Sequence, residues 1–387
     1  MRQGIEPEII FSNCERLTPI ELKKINQKKV YDYIYHSKIT SKLEISKSLE
    51  LSMPTVTQHL STFIESGLVE KRGEYESTGG RKAQVIRCNA MARLAVGVEI
   101  LKEGAQVAVI DLYGTILKED VLLLQFSNEE QYYQQFGAWV NHFVDSLDYP
   151  KENILGVGIS IQGLVSQDGE TITFSEILHC TGAKRQTYQK YVELPCYLFH
   201  DTEASALAEI WHNSDIGDAV YLALNRNFGG ALILNNRVLR GRELSGSIIE
   251  HMCLSPDGPT CYCGKQGCIE TYCSADSLKN AAHMELPEFF ERVHSGDPRC
   301  SKIWRSYLRY LAIAVDNIRM IADCDFILGG FLIQFMNDSD VELLTKYTKE
   351  QCAFDSPNFS FRISQNGSKS AKLGAAIVLV EQFLASV

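Results

Sequence analysis

Residues 41–67 read SKLEISKSLELSMPTVTQHLSTFIESG, and the spacing within them predicts two short helices joined by a tight turn. Ser41-Lys42-Leu43-Glu44 is a Ser-x-x-Glu capping box, in which each side chain satisfies the other residue's free backbone N–H, so one helix starts at Ser41. It ends near Leu49, because Pro54 is tolerated only in the first turn of the next helix, with Ser52 as its N-cap. In that second helix Val56, Leu60, Phe63 and Ile64 form one apolar stripe, while Thr55, Thr57, Gln58, Ser61 and Thr62 lie off it. Gly67 supplies the stop.

Upstream, Val30, Tyr31, Tyr33 and Ile34 recur at helical spacing and predict a further helix over Asn26–Ser37. Downstream, Leu68–Arg72 and Val85–Arg87 flank Ser77-Thr78-Gly79-Gly80-Arg81-Lys82, a β-hairpin wing with a basic tip. Such a helix pair, the second helix presenting small polar side chains, meets the requirement for reading a DNA major groove. The candidate DNA contacts are Ser52, Thr55, Thr57 and Gln58, with Gln58 the best base reader, and Arg72, Arg81 and Lys82 for phosphates or a minor groove. A protein-docking module is the alternative use of the same helices. The order of helix pair, wing and basic tip favours duplex DNA.

Charge points the same way. The 387-residue chain has a net charge of −10, which argues against non-specific nucleic-acid binding by the whole molecule. Residues 1–90 hold 14 Lys+Arg against 11 Asp+Glu, whereas the remainder holds 24 against 37. Apolar residues are 45% and charged residues 22%, an ordinary globular balance. No apolar run is long enough to span a bilayer, and the first residues lack a signal-peptide pattern, so a cytoplasmic protein with no membrane partner is expected.

From Arg93 onward the chain alternates β-rich runs with helical stretches, which predicts an α/β class. The runs are Leu94–Glu99, Gln106–Asp111, Thr115–Leu122, Ile154–Ile161, Val220–Leu224 and Phe326–Leu328. Helices are expected at Gln131–Leu147, Glu203–Trp211, around Ile303–Ile321 and at Leu373–Phe383. Within this part, His251, Cys261, Cys263 and Cys268 form a closed set of three thiolates and an imidazole, the donor set of structural zinc, with no position left for a catalytic water. Clustered cysteines are also found as small buried residues, and the other nine cysteines are read that way.

The string Cys261-Tyr262-Cys263-Gly264-Lys265-Gln266-Gly267-Cys268-Ile269-Glu270 after His251, and Ser77-Thr78-Gly79-Gly80-Arg81 after the helix pair, resemble the ROK family (repressor, open reading frame, kinase) on its regulator branch. Asp111-Leu112-Tyr113-Gly114, the segment around Asp201, and Leu328-Gly329-Gly330 extend the resemblance over residues 26–384. It implies a winged helix-turn-helix over residues 1–90. Residues 91–387 then form a two-lobed actin-like (ribonuclease H-like) sugar-kinase fold that senses an effector and dimerises.

The resemblance further implies zinc on His251, Cys261, Cys263 and Cys268, and sugar contacts from Asp201, His251 and Glu270. Family kinases use the aspartate matching Asp201 as general base. Two departures argue against an enzyme. Where such kinases have Asp-x-Gly-Gly-Thr this chain reads Glu99-Ile100-Leu101-Lys102-Glu103, and where they have Gly-Thr-Gly-x-Gly it reads Asn225-Arg226-Asn227-Phe228-Gly229. Side chains replace backbone that must approach phosphate. In the sugar site, His200, Glu203 and Ile248 stand where Asn, Asn and Glu are usual. The expected protein is therefore a repressor of carbohydrate-utilisation genes, a homodimer or dimer of dimers on a palindromic operator, responsive to a sugar or sugar derivative. An active sugar kinase, and a regulator with a vestigial pocket controlled by a protein partner, are the alternatives.

Overall fold

A computed structural model describes residues 18–74, 84–213, 215–242, 244, 246–354 and 358–387. They fall into two units, the described residues up to Ala92 with Phe383–Val387, and Arg93–Gln382. In the first, α1 (Pro19–Ser37), α2 (Lys42–Ser48) and α3 (Met53–Glu65) precede an antiparallel hairpin of β1 (Val69–Glu74) and β2 (Gln84–Cys88). The helix pair starts where its caps place it. Ser41 and Glu44 bond each other's backbone N–H groups, and Ser52 Oγ accepts from Thr55 N–H.

The first helix begins at Pro19, not Asn26. Thr18-Pro19-Ile20-Glu21 is another capping box with proline in the first turn, and its exposed first residues carry no apolar stripe that periodicity would detect. Val30, Tyr31 and Ile34 of α1 are fully buried, as are Ile45 of α2 and Val56 of α3, and the Tyr31 and Phe63 rings lie 5.2 Å apart. Thr40 exchanges both backbone hydrogen bonds with Ile86, tying the segment before α2 to the hairpin.

The second unit repeats one sheet topology twice. Its elements in order are β3 (Leu94–Leu101), β4 (Gly104–Ile110), β5 (Ile116–Leu122), α4 (Glu130–Asp145), β6 (Ile154–Ile161), β7 (Leu164–Val165), β8 (Ile172–Phe174), α5 (Arg185–Gln189) and β9 (Cys196–His200). Then follow α6 (Asp201–His212), β10 (Ala219–Leu224), β11 (Phe228–Leu234), β12 (Arg237–Val238), α7 (Glu270–Cys273), α8 (Ala275–Ala282), α9 (Leu286–His294) and α10 (Pro298–Arg319). Last come β13 (Asp325–Gly329), α11 (Asp338–Gln351), β14 (Phe361–Ile363) and α12 (Ser370–Ser386).

One sheet has the order β5-β4-β3-β6-β9 and the other β12-β11-β10-β13-β14, each an antiparallel meander continued by two parallel strands. This is the two-lobed actin-like arrangement. The first lobe buries α4 against its sheet, and the second packs α7–α11 around β10, β11 and β13. Close approach of backbones brings the lobes together. A Cβ on Gly97 would strike the Lys372 carbonyl of α12, and one on Gly374 would strike the Ala204 carbonyl of α6, so α12 lies on the first sheet and crosses α6 without intervening side chains. The crossing brings Asp201, the first residue of α6, next to the inner ends of both sheets. Among the described residues no helix is long and apolar enough to cross a membrane.

Candidate functional site

Soft metal donors converge beside the second sheet. His251 ends a short 3-10 turn (Ile249–His251), and the three cysteines come from the loop after it, folded back by bridges between Cys253 and Cys268 and between Thr260 and Gln266. Gly267 makes this reversal possible, since its φ is +68° and an added Cβ would strike the Ser255 carbonyl. The four potential ligand atoms lie within 4.8 Å of one another, with His251 Nδ1 3.6 Å from Cys261 Sγ and Cys263 Sγ 3.8 Å from Cys268 Sγ. Tetrahedral metal–sulfur bonds of about 2.3 Å require sulfur–sulfur edges of about 3.8 Å, so this cluster can hold a metal ion. Burial lowers the His251 pKa, which favours the neutral imidazole that ligation requires.

Next to the cluster is a cavity of about 670 Å³ whose lining includes Asp201, Glu250, His251, Asn225 and Asn227. Asp201 follows β9 directly. Its Oδ1 accepts from Thr202 N–H at 2.8 Å and lies 3.2 Å from His200 Nε2. Burial raises the Asp201 pKa, with His200 opposing. Behind it, Glu99 of β3 is buried with Oε2 unpartnered, and burial, with Asp201 adding like charge, pushes its pKa up to about 8.

Of the three side chains expected to meet an effector, Asp201 and His251 line this cavity, whereas Glu270 does not appear among its lining residues. Both Glu270 oxygens are occupied. Oε1 accepts from Asn227 Nδ2 at 3.0 Å and Oε2 from the Phe228 N–H at 2.6 Å, so this carboxylate holds the β10–β11 turn. Glu203 is likewise engaged, 3.1 Å from Arg240.

The carboxylate that sequence reasoning missed is Glu250. It lines the cavity at 8% exposure, its Oε2 has no partner, and burial, reinforced by Asp201 and Glu270, pushes its pKa up to about 8. The available signal was its position, immediately before a histidine of the candidate metal cluster.

In the first unit, Gln58 is exposed on α3. The neighbouring hydroxyls are partly committed: Ser52 Oγ caps the helix and bonds Thr55 Oγ1 at 2.8 Å, and Thr57 Oγ1 donates to the Met53 carbonyl at 2.7 Å. Arg72 is exposed on β1. Arg81 and Lys82 lie outside the described residues.

A family model described as the ROK family matches residues 95–382. The chain belongs to the ROK family. Its relatives include the xylose repressor of Bacillus subtilis, 24% identical over 77% of this chain and 79% of that protein. Another is the N-acetylglucosamine repressor of Escherichia coli O157:H7, 26% identical over 65% of this chain and 62% of that protein. Among solved structures, a ROK family transcriptional regulator described as a homologue of the E. coli MLC protein superposes with a TM-score of 0.75 at 20% identity, over 94% of this chain and 96% of that one. A ROK family glucokinase from Streptomyces griseus in complex with glucose and AMPPNP gives 0.67 at 23% identity, over 74% of this chain and 98% of that one. In this ROK chain, the β3–β4 and β10–β11 turns are joined by an ion pair between Glu103 and Arg226.

Proposed function

We propose that this protein is a DNA-binding repressor whose ROK domain senses a sugar or sugar derivative, and that it has no kinase activity. The observation that carries the reading is the combination in one chain of a capped helix pair with a hairpin, residues 18–88, and the ROK match that starts only at residue 95. The similar glucokinase is covered almost entirely by three quarters of this chain, whereas the similar regulator is matched over nearly all of it. Residues 1–90 form the DNA-binding part and residues 91–387 the effector and dimerisation part of a homodimer or dimer of dimers on a palindromic operator. Zinc occupies His251, Cys261, Cys263 and Cys268 as a structural ion, the role that four protein ligands and no open position support.

On DNA, α3 enters the major groove with Gln58 reading a base edge, while Ser52, Thr55 and Thr57 support it and Arg72, Arg81 and Lys82 meet the backbone. Operator binding by the full chain, selected from a random duplex pool, tests this. Gln58→Ala should relax base preference, and Arg81→Ala should weaken all sequences similarly. Retained operator affinity after deletion of residues 1–90 would overturn the assignment. The non-enzyme half rests on Leu101, Lys102 and Glu103 standing where family kinases bring backbone to phosphate. ATP consumption that depends on sugar and disappears in Asp201→Ala would refute it.

A further inference from the structure

Glu250 has a placement that the rest of the pocket does not explain. Its two neighbours in the turn are anchored independently. Ile249 packs so closely on β11 that a Cβ on Gly230 would strike its side chain, and His251 belongs to the metal cluster. Glu250 is thus held at the cavity between two fixed residues, buried, with Oε2 lacking a partner. A buried polar atom left unsatisfied is destabilising, more so if charged, and its retention points to something outside the chain that completes it.

The surroundings narrow what that is. Asp201 and Glu250 line the cavity largely away from solvent, while Glu176 and Lys265, which also line it, are both exposed. The buried cation nearby, Lys372, is already committed to Gln106 at 2.8 Å and Glu119 at 2.8 Å. Among the described residues no buried lysine or arginine lines the cavity to meet an anion. Ile248, two residues earlier, offers no acceptor at all.

On the effector reading of this cavity, we propose that Glu250 is its specificity-determining acceptor, receiving a hydroxyl or amine donor of a non-anionic, polyhydroxylated ligand and disfavouring phosphorylated sugars. The carboxylate absent at position 248 is replaced in function from position 250.

Thermal shift followed by calorimetry on the full chain, with xylose, glucose, glucosamine, N-acetylglucosamine and glucose 6-phosphate, tests this. At least one of the four sugars without phosphate should bind, and Glu250→Ala should weaken it about five- to hundredfold, the range for leaving a buried polar partner unsatisfied. Metal content should be unchanged, which separates loss of an acceptor from collapse of the cluster. Glu250→Gln keeps the shape and serves if the alanine variant does not fold, and it should weaken glucosamine more than a neutral sugar if the donor is the amine. Sugar binding that both variants leave unchanged would overturn the role of Glu250 while sparing the effector reading. Tighter binding of glucose 6-phosphate than of glucose would also overturn it. If none of the five binds the wild-type chain, the effector reading itself fails.

Discussion

The metal cluster and the carboxylates beside it share His251 as a common wall, yet they are built on opposite principles. The cysteines and histidine complete one another, with their four potential ligand atoms all within 4.8 Å of one another. The carboxylates are not gathered on a common partner. Glu270 is bound on both oxygens by the β10–β11 turn, Asp201 by Thr202 and His200, while Glu99 and Glu250 each retain a buried oxygen with no partner. One set could hold an ion among its own donors, and the other leaves buried oxygens that the chain itself does not satisfy.

The largest effect should follow from breaking the closed set. Cys263→Ser removes one of four ligands, and because a structural ion's binding free energy is folding free energy, the variant should lose its metal and several kcal/mol of stability. Metal analysis of protein purified without chelators, together with the melting temperature, checks this. A wild-type chain free of zinc would dissolve the contrast between the two sets.

The second effect is a pH dependence, and it comes from the open set. Glu99 has a pKa near 8 in the folded chain against an ordinary 4.5, held there by burial and Asp201 against the opposing Lys372, with Tyr221 also facing it. The folded state therefore keeps a proton that the unfolded chain releases. Its stabilising contribution is complete below about pH 4.5, declines as pH rises through that window, and is lost above about pH 8. Glu99→Gln should flatten this decline by an amount on the order of a few kcal/mol, read from urea midpoints at pH 5 and pH 8. Parallel pH profiles for variant and wild type would place the Glu99 carboxylate in water rather than in the core.

A third test compares two glutamates directly. Glu270→Gln leaves one acceptor where there were two and should cost about 1–3 kcal/mol, because Asn227 and the Phe228 N–H compete for it. Glu250→Gln removes a carboxylate with an unpartnered oxygen and should be neutral or stabilising in the absence of ligand. Equal losses in chemical denaturation would show that the two side chains have the same job.

That pair also marks how far the sequence could be read. The helix pair and the clustering of His251 with the cysteines were legible because their signals are local, as with Ser41 and Glu44 three residues apart or cysteines within one short loop. The α/β class and the positions of half the strands of the second unit followed from alternation. Glu270 and Glu250 were not separable that way. What distinguishes them is whether the β10–β11 turn, more than twenty residues upstream of either, reaches one carboxylate or the other, and hydropathy carries no trace of that. The start of α1 was missed for a simpler reason, since the Thr18–Glu21 box was present but lacked a buried face to accompany it.

The smallest effect belongs to the Glu103–Arg226 pair, which joins the β3–β4 turn of one lobe to the β10–β11 turn of the other. It resembles a latch between the two turns, and Glu270 braces the turn that carries Arg226. Both side chains, however, are more than half exposed, at 54% and 57%. Water and salt screen such a pair, and holding two long side chains in one geometry offsets much of the attraction. A double-mutant cycle of Glu103→Ala and Arg226→Ala should therefore give a coupling of about 0.2–1 kcal/mol at low salt that fades at about 0.5 M. A coupling well above 1 kcal/mol that survives salt would mean the turns close more tightly than their exposure allows. The lobes would then be held by this pair rather than by the crossing of α6 and α12 at Gly374.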